Sequence, residues 1–399
     1  MTSPARFVAA ALTLCVGTLA AQNPLTPVSG AFVTKLGTDT VAVERYTRSG
    51  DKLVGDLLLK SPNARVYHYV ADLAPNGAIK AITVNMRPVG SDSTAPPMMS
   101  VTTLFVDTVA TIDVARAGLP DTTATGKKIY HGYVMPQVQF APASYAVYEQ
   151  TLRTSKLTGS DSVAYMVIAP GRGASPSMWL AHRGRDSVTF TNTAFPGWVE
   201  VARVDPQGRV LAVNSTATTV KTMATRVDKV DFDGIARTWG AADKARGRPS
   251  PMSPPDTVRS AIGSAKIEIS YNRPSKRGRV IFGGDPVPWN KVWRTGANAA
   301  TQFTTSSDLM FGSTAVPAGK YTLWTLPTPT GAKLIINSQT GQWGTDYDMT
   351  KDFARLDLAS KTLAQPVEQF TIAVVPQGTG GVLRLSWDTT EYSIPFTIK

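Results

Sequence analysis

Short apolar runs, each closed by a turn signal, recur along most of this chain and constrain its fold more than any other feature. Residues 39–48, 52–60, 65–73 and 78–87 are rich in Val, Leu, Ile and Tyr, and Ser49-Gly50-Asp51, Pro62-Asn63 and Pro75-Asn76-Gly77 separate them. β-Branched and aromatic side chains suit a pleated surface, while Gly, Asn and Pro supply the backbone geometry of tight turns. The same style continues through 101–109, 162–168, 187–192, 198–204 and 209–214, with Asp205-Pro206-Gln207-Gly208 as a hairpin turn between the last two. Many short strands at this spacing predict an antiparallel β-meander. Only 141–156 reads as a helix there, with Tyr145, Tyr148 and Leu152 on one face. A shorter helix is expected over 232–244.

The composition changes near residue 238. Residues 238–256 read TWGAADKARGRPSPMSPPD, a Pro-rich and basic stretch expected to be an exposed, semi-stiff linker. It divides the chain into an N-terminal part, 28–237, and a C-terminal part, 257–399. In the latter, 266–271, 321–326, 333–337, 354–358, 367–375, 382–387 and 391–398 read as strands. About eight strands in that length fit a two-sheet β-sandwich of jelly-roll type. The expected class is therefore all-β: an N-terminal antiparallel meander with one helix, a linker and a C-terminal sandwich. In pattern alone, the N-terminal part is similar to the half-barrel sheets of lipoprotein carriers.

Residues 1–21 carry one Arg and then a charge-free run from Phe7 to Ala21, the layout of a secretory signal cleaved near Ala21. The run is too short and too rich in Ala and Thr for a membrane anchor. Cys15 follows Leu14 inside the apolar run, which is not a lipidation site. It is the sole Cys of the 399 residues, so the processed protein is expected to be cysteine-free and held together by packing alone. The expected location is periplasmic or extracellular. The charge, 41 Lys+Arg against 29 Asp+Glu, is a net +12. No nucleic-acid-binding motif accompanies it, and attraction to anionic envelope components is the better reading.

Residues 271–301, YNRPSKRGRVIFGGDPVPWNKVWRTGANAAT, differ from the rest. Cations Arg273, Lys276, Arg277, Arg279, Lys291 and Arg294 alternate with Tyr271, Phe282, Trp289 and Trp293. Five Gly and Pro residues between 278 and 288 make this a long structured loop, and such loops are commonly functional. The run Tyr271-x-Arg273-Pro274-Ser275-x-Arg277-Gly278-Arg279-x-Ile281-Phe282-Gly283 resembles the signature of the domain of unknown function 2911 family. So do Val292-Trp293-Arg294-Thr295-Gly296-Ala297-Asn298-x-Ala300-Thr301, Pro317-Ala318-Gly319-x-Tyr321-x-Leu323, and Ile336-Asn337 followed by Gln342-Trp343-Gly344. These blocks cover about 250–399. Trp289 stands where the pattern suggests a smaller, tyrosine-like residue. The resemblance implies an exported bacterial all-β unit and supplies no substrate.

Guanidinium groups in an array suit carboxylate, sulfate or phosphate, and aromatic rings stack on sugars or on Arg. Tyr271, Arg273, Ser275, Arg277, Arg279, Trp293, Arg294, Asn298, Thr301, Gln342 and Trp343 are the candidate ligand-binding residues, for an anionic glycan, a carboxylate or an envelope component. The competing expectation is structural: Arg273, Arg277 and Arg294 bind loop carbonyls and pair with Asp285 or Asp308, while Trp293 and Phe282 plug the sandwich end. The C-terminal part contains neither His nor Cys, which excludes a Ser-His-Asp triad, a Cys-His dyad or a His-ligated metal within it. Asp346, Asp348 and Asp352 lack the Gly and Glu of a Ca²⁺ loop and read as a solvated turn. No metal or cofactor is expected. Three functions stay open: a non-catalytic binding or scaffold protein, which is favoured; a hydrolase or lyase using Arg with Tyr or Asp; and a carrier of lipophilic ligands on the N-terminal sheet.

Overall fold

The computed structural model describes residues 27–92, 94–107, 109–118, 126–131, 134–136, 144–155, 162–169, 173–184, 186–192 and 198–399. The leader expected over 1–21, with Cys15, lies outside the described residues. So do residues 141–143 and Lys156 at the ends of the expected helix.

The protein is all-β, built from two large sheets. In the first, the strands from Val28–Leu36 to Gly126–His131 follow one another outward in chain order. A second series runs from Val134–Pro136 inward to Met223–Val227, which pairs with Val28–Leu36 and joins the two series into one open sheet of 15 strands among the described residues. All neighbours are antiparallel except Val134–Pro136 and Ser162–Ala169, which run parallel. The expected run 101–109 is two strands, Met99–Val106 and Val109–Arg116. Strands Gly126–His131, Gly173–His182 and Met223–Val227 are additional to the sequence reading.

The turns form where their chemistry requires. Gly50, Gly77 and Gly208 have φ of 57, 82 and 74°, a region open to Gly without a Cβ clash. Asp205 Oδ1 accepts from the amides of Gln207 and Arg209, which fixes the last of these turns.

Helix α1 (Tyr145–Thr154) packs on one face of this sheet, and its residues 145–151 are all buried. Tyr145, Val147 and Tyr148 share a core with Phe32, Tyr46, Leu53, Tyr69, Leu180 and Phe190. Its first turn is capped by Ser144 and by Glu44 from the sheet, whose carboxylate accepts from the amides of Tyr145 and Ala146 and from the Tyr69 and Ser144 hydroxyls. Burial nevertheless pushes the Glu44 pKa up. Glu149 pairs with Arg226 and accepts from the Val210 amide.

Helix α2 (Phe232–Arg246) covers the opposite face, packing Phe232 against Val43 and Leu58. Strands covered on both faces need apolar side chains in both directions, which is why the alternation in 39–48 is imperfect. Asp231 caps the start of α2, and Gly247, at φ 66°, ends it. The stretch expected as a linker thus begins inside this helix: 238–246 are helical, and the next strand opens at Pro255. The Asp231 cap and good helix formers outweigh Gly234 and Gly240.

The second sheet has nine strands, all antiparallel neighbours. Its two longest, Asp352–Gln377 and Gly380–Ile398, pair as a hairpin with register shifts between Thr362 and Thr371. These irregularities let the strands bend, so that Leu356 and Leu358 before the bend and Phe370 and Ile372 after it enter one core. The layers expected as separate strands 354–358 and 367–375, and 382–387 and 391–398, are therefore joined through two continuous, bent strands. No described helix is long and apolar enough to cross a membrane.

Candidate functional site

Between strands Ala265–Asn272 and Thr301–Thr305, the loop 273–300 is tied down along its length. The Arg273 amide donates to Pro254 O, the Lys276 amide to Glu368 O, and the Phe370 amide to Pro274 O. Trp293 and Thr325 exchange both backbone bonds at 2.8 Å. Trp293 is buried, stacked on Trp387 at 5.7 Å and edge-on to Phe370 at 4.9 Å. Phe282 lies edge-on to Trp293 and stacks on Trp289. These rings therefore pack on one another, and Trp293 also borders the cavity described below.

Four candidate residues are engaged within the fold. Tyr271 is buried, and its hydroxyl accepts from the Ile372 amide. Arg273 binds Asp256, Phe370 O and Thr371 Oγ1. Thr301 is buried and donates to Thr295 O. Gln342 donates to Thr322 Oγ1 and leaves its Oε1 without a partner. None of the four lines a described cavity.

Arg277 reaches out of its own sheet. It pairs with Asp39 of the N-terminal sheet, and its carbonyl accepts from the Thr38 amide at 2.9 Å and the Thr38 hydroxyl at 3.2 Å. Close approach is possible because Gly37 faces the Arg277 carbonyl and Gly278 faces Thr38, with no Cβ on either. The expected pairing with Asp285 or Asp308 is replaced: Arg273 takes Asp256 and Arg277 takes Asp39, because the loop folds back over strand Pro255–Ile262 and onto the hairpin at 36–39. Asp308 instead accepts from the Ala318 amide.

Beside this clasp, at the seam of the two sheets, lies a cavity of about 470 Å³. Ser275, Arg277, Arg279, Trp293, Arg294, Asn298 and Trp343 line it from the C-terminal side. The N-terminal side adds Leu36, Val41, Leu59, Trp198 and Lys221, which the sequence reading did not single out. Arg279 donates to the Ser275 and Lys276 carbonyls. Arg294 rests on Gly344, where a Cβ would overlap its Cδ, and makes one long bond of 3.4 Å to Gly344 O. Its Nε is buried with no acceptor. Lys221 Nζ donates to Thr216 O at 2.9 Å.

Among the described residues, no carboxylate lines the cavity, and Lys221, Arg279 and Arg294 form no ion pair. Burial pulls the pKa of Arg294 down. Burial and then the charge of Arg277 do the same to Arg279. Lys221 is lowered by burial above all, with Arg294 and Arg279 adding to it and Asp285 opposing.

Backbone strain gathers in the same place. Lys221, Arg277 and Asn298 line the cavity with φ of 58, 51 and 59°, and Thr295 beside it has 51°. A non-Gly residue there is held against a cost of order 1 kcal/mol or more, and such outliers cluster at functional sites. Asp348 caps the short turn Met349–Lys351, its carbonyl and the Asp352 carboxylate both accept from Asn337 Nδ2, and Asp352 also binds Tyr347 and Arg355.

The comparisons with known proteins add little chemistry. No curated protein matches the chain. A DUF1089 family protein from Pseudomonas aeruginosa, solved as a crystal structure, is similar at TM-score 0.31 and 14% identity, over 43% of this chain and 89% of that one. Intact Ap-TbpB, with its N and C lobes, is similar at TM-score 0.14 and 8% identity, over 94% of this chain and 78% of that one. Neither likeness carries an argument. The C-terminal part, residues 253–396, matches the family described as protein of unknown function (DUF2911), and the N-terminal part matches no family.

Proposed function

We propose that this is an exported, non-catalytic binding protein whose seam cavity takes a small anion. One observation carries the reading: Arg294 lines the cavity with no acid among the described residues paired to it, one long bond to Gly344 O and a buried Nε without a partner. A cation left without a counter-charge in a partly buried site is costly, and a ligand carboxylate, sulfate or phosphate would supply both charge and acceptors. The cavity volume suits a small molecule.

Catalysis has less support. General acid–base work needs a titratable group facing the substrate. The Tyr271 hydroxyl is engaged in the core, no described His, Asp or Glu lines the cavity, and Lys221, the titratable group that does, donates to Thr216 O. The carrier reading loses ground because helix α1 occupies one face of the N-terminal sheet with a packed core.

Calorimetric titration of the full chain with inorganic phosphate and with malonate tests the proposal. Binding that weakens at least tenfold in Arg294→Met supports it. No binding of either anion, or equal binding by the variant, rejects it.

A further inference from the structure

The ligand's charge and shape can be read from what lines the cavity. The lining holds the cations Arg279 and Arg294 from the loop and Lys221 from the turn between strands Val210–Asn214 and Met223–Val227. It also holds the apolar side chains Leu36, Val41, Leu59 and Trp198. Arg277, the fourth cation, is already neutralised by Asp39. Resting on the anion-binding reading above, we infer that Lys221 is a binding residue supplied by the N-terminal sheet, and that the ligand is a doubly charged head, of the phosphate monoester type, on an apolar stem.

Three observations converge on Lys221. It enters the cavity from a different sheet than the two arginines, so the site is incomplete without the N-terminal part. It sits at φ 58°, a conformation that a Lys adopts only under constraint from its surroundings. Its ammonium has one carbonyl partner and no described carboxylate within ion-pair distance, although Asp285 is near enough to act on it. Asp285 acts on Lys221 and Arg279 from outside the lining but pairs with neither, so the three lining cations keep an excess of positive charge that a single negative charge does not balance. A dianion balances most of that charge, and its oxygens can take donors from both sheets at once. A bare inorganic ion would leave the apolar lining of Leu36, Val41, Leu59 and Trp198 unused. Burying a ring or short alkyl stem there removes apolar surface from water and adds affinity.

Four probes separate charge from stem: phenyl phosphate, benzoate, inorganic phosphate and phenol, each titrated calorimetrically into the full chain. Phenyl phosphate should bind at least tenfold more tightly than benzoate or inorganic phosphate, and phenol should not bind. Lys221→Gly relieves the positive φ, so the variant keeps the fold and its melting temperature does not fall. It should weaken phenyl phosphate about tenfold or more and leave benzoate within a factor of three. Lys221→Arg should retain most of the affinity. Equal affinity for phenyl phosphate in the wild type and Lys221→Gly, or no preference for the probe that has both charge and stem, overturns this inference while leaving anion binding through Arg294 standing. Binding of none of the four probes overturns both.

Discussion

Replacing Arg294 by Met should make the unliganded protein more stable. The guanidinium carries five N–H donors, and the structure gives it one 3.4 Å bond to Gly344 O and a buried Nε with no acceptor. A buried donor left unmade costs about 1–3 kcal/mol. Met keeps an unbranched stem of similar length over Gly344 and removes the charge, so the net gain should approach that range. Replacing buried charged groups by apolar ones of similar volume commonly has this sign. At roughly 2–4 °C per kcal/mol for a domain of this size, the transition that melts the C-terminal sheet should rise by a few degrees in scanning calorimetry without added anions. Added phosphate should then raise the wild type toward the variant and raise the variant less. A variant that melts several degrees lower than the wild type would refute the reasoning, because the guanidinium would then be stabilising the loop. Functional residues often carry such a stability cost.

Other outcomes follow from the same geometry. Trp293→Ala removes the ring that stacks on Trp387 and meets Phe370 and Phe282 edge-on and should cost about 3–5 kcal/mol, read as a shift of the denaturation midpoint. Arg226→Met leaves the buried Glu149 without its main partner and should destabilise the N-terminal sheet by about 3–5 kcal/mol; a loss under 1 kcal/mol would show that Arg153 compensates. His68 is held above its usual value of 6.5 by its hydrogen bond to Asp56, against partial burial. Its stabilising contribution is full below that value and fades as pH rises through the raised one. The melting difference between wild type and His68→Gln should therefore shrink from pH 6 to pH 8.5, and a difference independent of pH would count against it.

The hairpins of the N-terminal sheet were readable because Gly50, Gly77 and Gly208 sit where the turns need positive φ. The ends of α2 carry an equally local code, Asp231 and Gly247. The long bent strands were not readable. Residues 359–368 of Asp352–Gln377 are largely exposed on both faces, so the apolar alternation lapses while the backbone ladder continues. Pro366 in that stretch also reads as a break, although it falls at a register shift where a ladder bond is absent anyway. The loop 273–300 announced itself by composition, but its chemistry was divided by tertiary contacts. Arg273 and Arg277 look alike in sequence to Arg279 and Arg294; only the fold gives the first pair carboxylates and leaves the second pair without. Lys221 and Trp198 carry no local signal, since a lone Lys or Trp in a β-rich chain is ordinary. What distinguishes them is that they meet the loop across the seam of two sheets.

The central claim is that this seam holds an anion. The most direct measurement is a crystal structure of the full chain grown with 4-bromophenyl phosphate, with the bromine located by its anomalous signal. The account predicts the phosphate within hydrogen-bond reach of Arg294 and Lys221 and the bromine toward Leu36, Leu59 and Trp198. A cavity empty of ligand, with the bromine absent or on another surface, would contradict it.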